Sequence, residues 1–156
     1  MLPLKRYFLM AKIFLHKGGY KRAAYLKKKG YFGSQGEHCF FQPWNFGTNP
    51  KLIHFGNNVH IASGVTFVNH DVTSYMFSYQ DKAEYKVRRG TTVIGDNVFV
   101  GAESILLYDV KIGSNVIIGA GSVVSKDIPD NTVAAGVPCR PIGDYFEYKN
   151  KIINKS

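Results

Sequence analysis

The segment FVNHDVTSYM, residues 67–76, places a histidine between an asparagine and an aspartate. A neutral imidazole suits proton transfer near pH 7, because its ordinary pKa lies close to that value. His70 is therefore a candidate general base, although a lone histidine is more often structural. Asn69 and Asp71 are candidate substrate-binding residues beside it. Asp71 could equally orient an imidazole or cap a turn.

The histidines and cysteines of the chain show no metal-ligand motif. Zinc sites use these residues at short, regular spacings, and none of the five histidines is placed in that way. Cys39 and Cys139 are too few for a disulfide framework. We therefore expect no metal.

A long insertion follows His70. Residues 73–90, TSYMFSYQDKAEYKVRRG, exceed an ordinary connection, and loops of this length are usually functional or disordered. Aromatic faces and charged donors suit a sugar or an anionic saccharide, so Tyr75 and Arg88 are further candidates for substrate binding. The alternative is that the loop packs on a neighbouring subunit. Its aromatic and arginine residues are Tyr75, Phe77, Tyr79, Tyr85, Arg88 and Arg89.

The elements that must position these residues are six-residue repeats. An apolar residue, usually aliphatic, begins each unit, a small residue usually follows it, and the fifth position is apolar or small except at Asp71. The units begin at Phe55, Ile61 and Phe67, and again at Ile94, Val100, Leu106, Ile112, Ile118 and Val124. A period of six predicts a β-solenoid of triangular coils. The first position should point into the core, and the small second position should allow a tight corner.

The net charge of +9 arises entirely in residues 1–30. That segment holds nine lysines and arginines and no acid, whereas the rest of the chain holds eleven of each sign. The stretch LPLKRYFLMAKIFLH has the pattern of a helix with a wide apolar face and a polar stripe at Lys5, Lys12 and His16. Such a helix could dock on the body of the protein or lie on a membrane surface. A nucleic-acid partner is not expected.

A chain of 156 residues predicts one folded domain. We expect a basic, partly helical segment over residues 1–37, a repeat domain over 38–143 with the insertion 73–90, and a tail over 144–156. Lys12 interrupts the first apolar run, so a signal peptide is not expected. No stretch reaches the roughly 20 apolar residues of a spanning helix. The expected location is cytoplasmic, at most peripheral at the inner membrane face.

The hexapeptides of residues 38–143 resemble those of the left-handed β-helix acyltransferases, which transfer acyl groups from coenzyme A to hydroxyl or amino groups. The resemblance implies an all-β solenoid with a left-handed parallel coil, whose hand periodicity alone does not determine. The segment IGAGSVVSKDIPDNTVAAGVPCRPIG, residues 118–143, resembles the sugar-acetylating branch, of the maltose and galactoside acetyltransferase type.

In that branch the last coils bind acetyl-CoA, which implies cofactor-binding roles for four residues here. Backbone groups around Ala102 and Ala120 would line the pantetheine channel. Lys126 and Arg140 would meet the nucleotide phosphates, since a phosphorylated end needs fixed positive charge. The alternative is that the turns around Lys126 and Arg140 only end the solenoid, stiffened by prolines.

In the resembling family a histidine at the place of His70, after an asparagine, is the catalytic base. The resemblance implies that His70 Nε2 takes the acceptor proton, that a backbone N–H steadies the oxyanion, and that no acyl-enzyme forms. It also implies a homotrimer with sites between the chains and the 73–90 loop reaching across. Phe99 departs from the tryptophan that family members often carry, which removes an indole donor.

We therefore predict an acetyl-CoA-dependent O-acetyltransferase that acts on a saccharide hydroxyl in a surface polysaccharide or glycan precursor. A lipid-linked acceptor would explain the basic, apolar N-terminus. One alternative is a small-molecule acetyltransferase that acts on serine or on an antibiotic hydroxyl. The other is a non-catalytic solenoid that serves in assembly or binding, because fold alone does not assign an activity.

Overall fold

The structure, a computed structural model, describes residues 3–154, with side chains at Phe8 and from Met10 onward. Residues 1–2 of the predicted basic segment, residues 155–156 of the predicted tail and the side chain of Lys5 lie outside the described residues. The helices are α1 (Pro3–Leu15), α2 (Gly19–Lys28), α3 (Thr73–Asp81) and α4 (Tyr145–Ile153), with a 3-10 turn at Pro50–Leu52. The strands are β1 (Ser34–Gln35), β2 (Phe40–Phe41), β3 (Ile53–Phe55), β4 (Val59–Ile61), β5 (Thr66–Phe67), β6 (His70–Asp71), β7 (Arg88–Arg89), β8 (Thr92–Ile94), β9 (Val98–Val100), β10 (Ile105–Leu106), β11 (Val110–Ile112), β12 (Val116–Ile118), β13 (Val123–Val124), β14 (Thr132–Ala135) and β15 (Arg140–Asp144).

Short strands from successive coils pair in parallel and build three faces. Face A holds β1, β3, β8 and β11, face B holds β2, β4, β9, β12 and β14, and face C holds β5, β10 and β13. In face B, Val98 pairs with Val59 on one side and Val116 on the other, so equivalent residues of consecutive coils stack directly. Each complete coil visits A, B and C in turn, which confirms the predicted parallel β-solenoid. The antiparallel strand β15 pairs with β14 at the end of face B.

The interior is filled by the first and fifth positions of the repeat. The first-position residues are at most 3% exposed, and they are Phe55, Ile61, Phe67, Ile94, Val100, Leu106, Ile112, Ile118 and Val124. Two fifth positions are serines, and their buried hydroxyls are satisfied: Ser104 Oγ and Ser122 Oγ donate to the carbonyl oxygen of Gly119 at 3.1 and 2.6 Å. The first coils are packed instead with phenylalanines, such as Phe32 and Phe55, whose ring centroids lie 4.8 Å apart.

The corners of the coil are made differently from the expectation. The small second position was expected to form the tight corner. At Gly101 a small residue is required for another reason, because the backbone of the next coil passes too close for a side chain. A Cβ on Gly101 would lie 2.5 Å from the backbone nitrogen of Ala120. The turn from face A to face B is made instead by asparagines in the left-handed region, with φ from 54° to 56°. These residues are Asn58, Asn97, Asn115 and Asn131.

The same asparagines form a ladder of side-chain hydrogen bonds along the solenoid. Asn58 Nδ2 donates to Asn97 Oδ1 at 2.9 Å, and Asn97 Nδ2 donates to Asn115 Oδ1 at 3.1 Å. Asn115 continues the series to Asn131 at 2.9 Å. Asparagine tolerates the left-handed backbone better than most residues with a side chain. One residue type therefore both turns the chain and ties each coil to the next.

Helices α1 and α2 cover the N-terminal end of the solenoid. Ile13, Ala23 and Leu26 are buried in the same core as the phenylalanine rings. The Arg22 guanidinium joins the parts, since it donates to the carbonyl oxygen of Ile13 at 3.3 Å and to that of Phe41 at 3.1 Å. Within residues 3–154, no helix is both long enough and apolar enough to cross a bilayer.

The regions beside the predicted repeat domain are also ordered into elements. Ser34 of β1 already pairs with His54 of β3, so coil stacking begins before residue 38. In the predicted tail, Asp144 caps α4, because its Oδ1 accepts the backbone N–H groups of Phe146 and Glu147 at 2.8 and 2.9 Å. The insertion is not a plain loop, since it contains α3 between two short strands.

The asparagine ladder makes a prediction about stability. Asn97→Gly removes the ladder bonds of one coil but keeps the backbone conformation, and should lower the free energy of unfolding by about 1 kcal/mol. Asn97→Ala should cost about 1–2 kcal/mol more, because alanine is strained at positive φ. Denaturant unfolding at one fixed protein concentration measures both. An alanine variant as stable as the glycine variant would contradict the role given to the left-handed turn.

Candidate active site

The regular solenoid is interrupted at the corner between faces C and A, after β5 and before β8. Strands β6 and β7 form a two-stranded antiparallel ribbon there. His70 is paired with Arg89, and Asp71 with Arg88. Because side chains alternate along a strand, His70 and Arg89 share one face of the ribbon, and Asp71 and Arg88 share the other.

The His70 face borders a cleft of about 290 Å³ that is lined by Thr48, Asn49, His70 and Arg89. The imidazole is half-buried, and its Nδ1 lies 3.1 Å from Thr48 Oγ1. When Nδ1 carries the proton it donates to this hydroxyl, and Nε2 is left as a proton acceptor. The cleft can therefore combine a base with a cation and neutral polar groups. Among the described residues, no three metal-ligating side chains are grouped so as to hold an ion.

Asn69 sets the spacing between the ribbon and the loop that carries Thr48. It is 2% exposed, and its Oδ1 accepts the backbone N–H of Asn49 at 3.3 Å. Gly47 passes so close that a Cβ there would lie 2.4 Å from the same oxygen. The Asn69 Nδ2 group is buried without a hydrogen-bond partner in the described part of the chain. The contacts of Asn69 thus position His70 against Thr48.

Asp71 is held on the other side of the ribbon by Thr73 and Tyr108. Its Oδ1 accepts the backbone N–H and the hydroxyl of Thr73 at 3.2 and 2.6 Å, and its Oδ2 accepts the Tyr108 hydroxyl. The Thr73 hydroxyl and then the Tyr108 hydroxyl hold the pKa of the Asp71 carboxyl below its ordinary value. Of the three roles expected for Asp71, this arrangement favours capping of the turn before α3.

The predicted acceptor-binding residues Tyr75 and Arg88 lie outside the set that lines the cleft. Tyr75 is 63% exposed on α3. The Arg88 guanidinium lies over the Tyr108 ring, 5.6 Å from its centroid, on the ribbon face away from His70. The cleft uses Arg89 instead. The sequence does not indicate which of Arg88 and Arg89 faces the histidine, because that depends on the pairing register of β6 and β7.

Thr48 and Asn49 were not identified by sequence reasoning. They follow the first coil, about twenty positions before His70, and neither belongs to a recognisable motif. Stacking of the coils brings this loop against the ribbon. The glycine and the asparagine of GTN, residues 47–49, are a weak local signal, since these residues favour a turn.

The predicted coenzyme A residues fall on two corners of the solenoid. Ala102 and Ala120 stack at the corner between faces B and C, where the Gly121 N–H donates to the Ala102 carbonyl oxygen at 2.8 Å. Lys126 is exposed after β13, at the corner between C and A, which is the corner that bears the His70 ribbon. Arg140 is exposed on β15, opposite Ala135. The structure therefore brings the two alanines together, whereas the two cations lie on separate elements.

The three faces of stacked parallel strands place this protein in the class of hexapeptide-repeat β-solenoids. A family model described as bacterial transferase hexapeptide (six repeats) matches residues 91–126. Protein CapG of Staphylococcus aureus is 45% identical over 111 residues, which cover 71% of this chain and 63% of CapG. Galactoside O-acetyltransferase of Escherichia coli is 31% identical over an alignment of 166 residues, which covers 90% of this chain and 79% of that protein. The solved structure of a galactoside acetyltransferase in complex with coenzyme A matches with a TM-score of 0.63 at 27% identity, over 94% of this chain and 82% of that one.

The chain belongs to the hexapeptide-repeat acyltransferase family, in the branch that contains the galactoside acetyltransferases. This confirms the resemblance noted from the repeats. Family membership implies the left-handed coil, which the sequence periodicity did not determine. The chain spans 63% of the length of CapG, just under two thirds.

The contacts of Asp71 predict a change in its titration. Tyr108→Phe removes one of the hydrogen bonds that favour the carboxylate, so the pKa of Asp71 should rise. It should stay below the ordinary value, because Thr73 still donates. The stabilisation that the Tyr108 bond contributes should be present near neutral pH and be lost as the pH falls through the native pKa of Asp71. Carbon NMR of the carboxyl group measures the shift. Tyr79→Phe on α3 is the control, and an Asp71 pKa that is equal in wild type and Tyr108→Phe would contradict the assignment.

Proposed function

We propose that the protein is an acetyl-CoA-dependent O-acetyltransferase that acts on a saccharide hydroxyl, with His70 as the general base. The observation that carries this proposal is the cleft in which His70 Nδ1 lies 3.1 Å from Thr48 Oγ1. Membership of the hexapeptide-repeat family supports acyl transfer. The relatives named galactoside O-acetyltransferase, from Lactococcus lactis and Escherichia coli, support a saccharide acceptor.

In the proposed reaction, His70 Nε2 takes the proton of the acceptor hydroxyl as its oxygen attacks the thioester carbon of acetyl-CoA. A C–O bond forms, and the charge that develops on the former carbonyl oxygen is stabilised by a backbone N–H. Collapse of the intermediate breaks the C–S bond, and the imidazolium returns its proton to the thiolate of coenzyme A. Thr48 accepts the Nδ1–H and so keeps Nε2 free as the base.

This direct attack gives no role to the cysteines. Cys39 and Cys139 are 4% and 7% exposed, and burial raises the pKa of both thiols. A thiol is a nucleophile mainly as its thiolate, so a raised pKa disfavours an acyl-cysteine.

Coenzyme A, in the same proposal, lies along the corner where Ala102 and Ala120 stack. Small side chains leave the backbone accessible there, which suits a narrow pantetheine arm. Lys126 and Arg140 are exposed and would bind the phosphates by charge. The related structure that contains coenzyme A supports binding of this substrate.

Three chains would assemble side by side, with the acceptor bound in a cleft between two of them. Arg88 faces away from His70 of its own chain, and Tyr75 is exposed on α3. In a homotrimer both would serve the acceptor site shared with a neighbouring subunit. Asn69 and Asp71 would act mainly by fixing the loop and the ribbon, since both already bond within the chain.

Loss of the proposed base should abolish most of the turnover. His70→Ala should lower the rate of coenzyme A release by about 10²–10⁴ while the fold is retained. The measurement is a thiol-release assay with acetyl-CoA over a panel of neutral sugars, uronates, serine and antibiotic hydroxyls. His54→Gln is a matched control, since this histidine lies on face A and bonds to Ser34 at 3.1 Å.

The same assay separates the alternatives. Thr48→Val, which keeps the shape but not the hydroxyl, should reduce kcat with little change in KM for acetyl-CoA. Turnover of serine or an antibiotic in preference to every sugar would overturn the saccharide assignment. Full activity of His70→Ala would overturn the base, and failure of the wild type to bind coenzyme A would leave a non-catalytic solenoid.

We also propose that α1 and α2 contact an anionic membrane surface, where a lipid-linked acceptor would be met. Phe8, Phe14 and Leu15 of α1 are 64%, 63% and 71% exposed. Lys17 and Lys21 are exposed near the same end of the molecule. Apolar side chains beside lysines suit the headgroup region of an anionic bilayer.

Membrane contact predicts sedimentation with anionic vesicles. The full-length protein should bind vesicles that contain phosphatidylserine and not vesicles of phosphatidylcholine alone. A variant with Phe8→Ser, Phe14→Ser and Leu15→Ser should bind at least tenfold more weakly, because the buried residues of both helices are untouched. Tyr79→Ser, at a residue 90% exposed on α3, is the control. Equal sedimentation of the wild type and the triple variant would remove the proposal.

A further inference from the structure

We propose that Arg89 selects an acceptor that carries a negative charge, a carboxylate or a phosphate, close to the hydroxyl that is acetylated. This inference rests on the proposed function and specifies its acceptor. It starts from the ribbon register, which places Arg89 opposite His70 on the face that borders the cleft.

The ribbon separates charges between its two faces. On the outer face, Arg88 lies across the ribbon from the carboxylate of Asp71. On the cleft face, Arg89 has a histidine as its paired residue. The remaining lining residues, Thr48 and Asn49, are neutral. The cleft thus holds a guanidinium and no carboxylate among its lining residues.

Arg89 also has no ion-pair partner elsewhere in the described part of the chain. The salt bridge found among those residues joins Lys27 and Glu37, on α2 and the first coil. An arginine without an acidic partner that borders a polar cleft can bind an external anion. Its planar fork matches a carboxylate or a phosphate with two parallel hydrogen bonds.

Because Arg89 lies beside the base, it can bind only a part of the acceptor that is close to the reacting hydroxyl. His70 must reach the reacting hydroxyl directly, at about 3 Å. A group bound by the neighbouring arginine is then a substituent of the same sugar ring or of the adjacent one. Charge-assisted hydrogen bonds of this kind should favour the anionic acceptor by about ten- to a hundredfold in kcat/KM.

A matched set of acceptors tests the inference. Wild-type protein is assayed with a methyl hexoside, the corresponding methyl uronoside and the hexoside 6-phosphate at fixed acetyl-CoA. We expect kcat/KM for one or both anions to exceed that for the neutral sugar by about ten- to a hundredfold. Comparison of kcat/KM for the uronoside and for the phosphate identifies which anion Arg89 prefers. Arg89→Gln should remove the preference by slowing the anions alone, and Arg89→Lys should restore part of it.

Two neighbouring variants show whether position or total charge matters. Lys82→Gln removes one exposed positive charge at the end of α3, outside the cleft, and should leave the preference intact. Lys86→Gln removes one positive charge from the same insertion and should do the same. The inference is overturned if the wild type treats all three acceptors alike, or if Lys82→Gln removes the preference. It is also overturned if Arg89→Gln slows neutral and anionic sugars equally or raises KM for acetyl-CoA, since Arg89 would then bind the donor.

Binding measured without turnover keeps this inference separate from the proposed function. Titration of the uronoside and the neutral hexoside, followed by NMR of the His70 ring, reports cleft binding directly. Arg89-dependent binding of the uronoside without coenzyme A release would support the anion site and refute the transferase. Turnover that depends on His70 but shows no charge preference would support the transferase and refute the anion site.

Discussion

The close stacking of one coil on the next is the constraint on which the rest of the structure depends. Parallel strands only a few residues long bring little stability alone, so each coil must lie directly on its neighbours. At Gly101 the approach leaves no space for a Cβ, and the asparagines at positive φ bond from coil to coil. An insertion within a strand of this wall would break the stacking, so the inserted ribbon that carries His70 leaves the wall at a corner.

Placement at a corner also explains the chemistry of the cleft. An antiparallel ribbon has two faces. The register of this ribbon puts His70 and Arg89 on one face and Asp71 and Arg88 on the other. One face keeps its acid and arginine close to Tyr108, which anchors the ribbon to the following coil. The other face is left with a histidine and an arginine. The four residues of two short strands thus divide into one pair held near Tyr108 and one pair that borders the cleft.

Much of the fold could be predicted from the sequence, because a buried first position repeats every six residues and such a period has few structural solutions. His70 was identifiable because the pattern ends there. The role of glycine at the second position was misjudged, since its neighbour belongs to another coil. Thr48 was missed, and Arg88 was chosen over Arg89, for the same reason: their partners are distant in sequence, and no local pattern records which face they occupy.

The sequence by itself determined the solenoid, the composition of its core and the identity of the candidate base, since these follow from periodicity and from where periodicity fails. Only the tertiary structure decided that Asn69 ties the Thr48 loop to the ribbon and that Arg89, not Arg88, borders the cleft. Those outcomes depend on strand register and on contacts between coils. A shift of one residue in register would exchange the two faces of the ribbon, and the order of residues along the chain does not specify it.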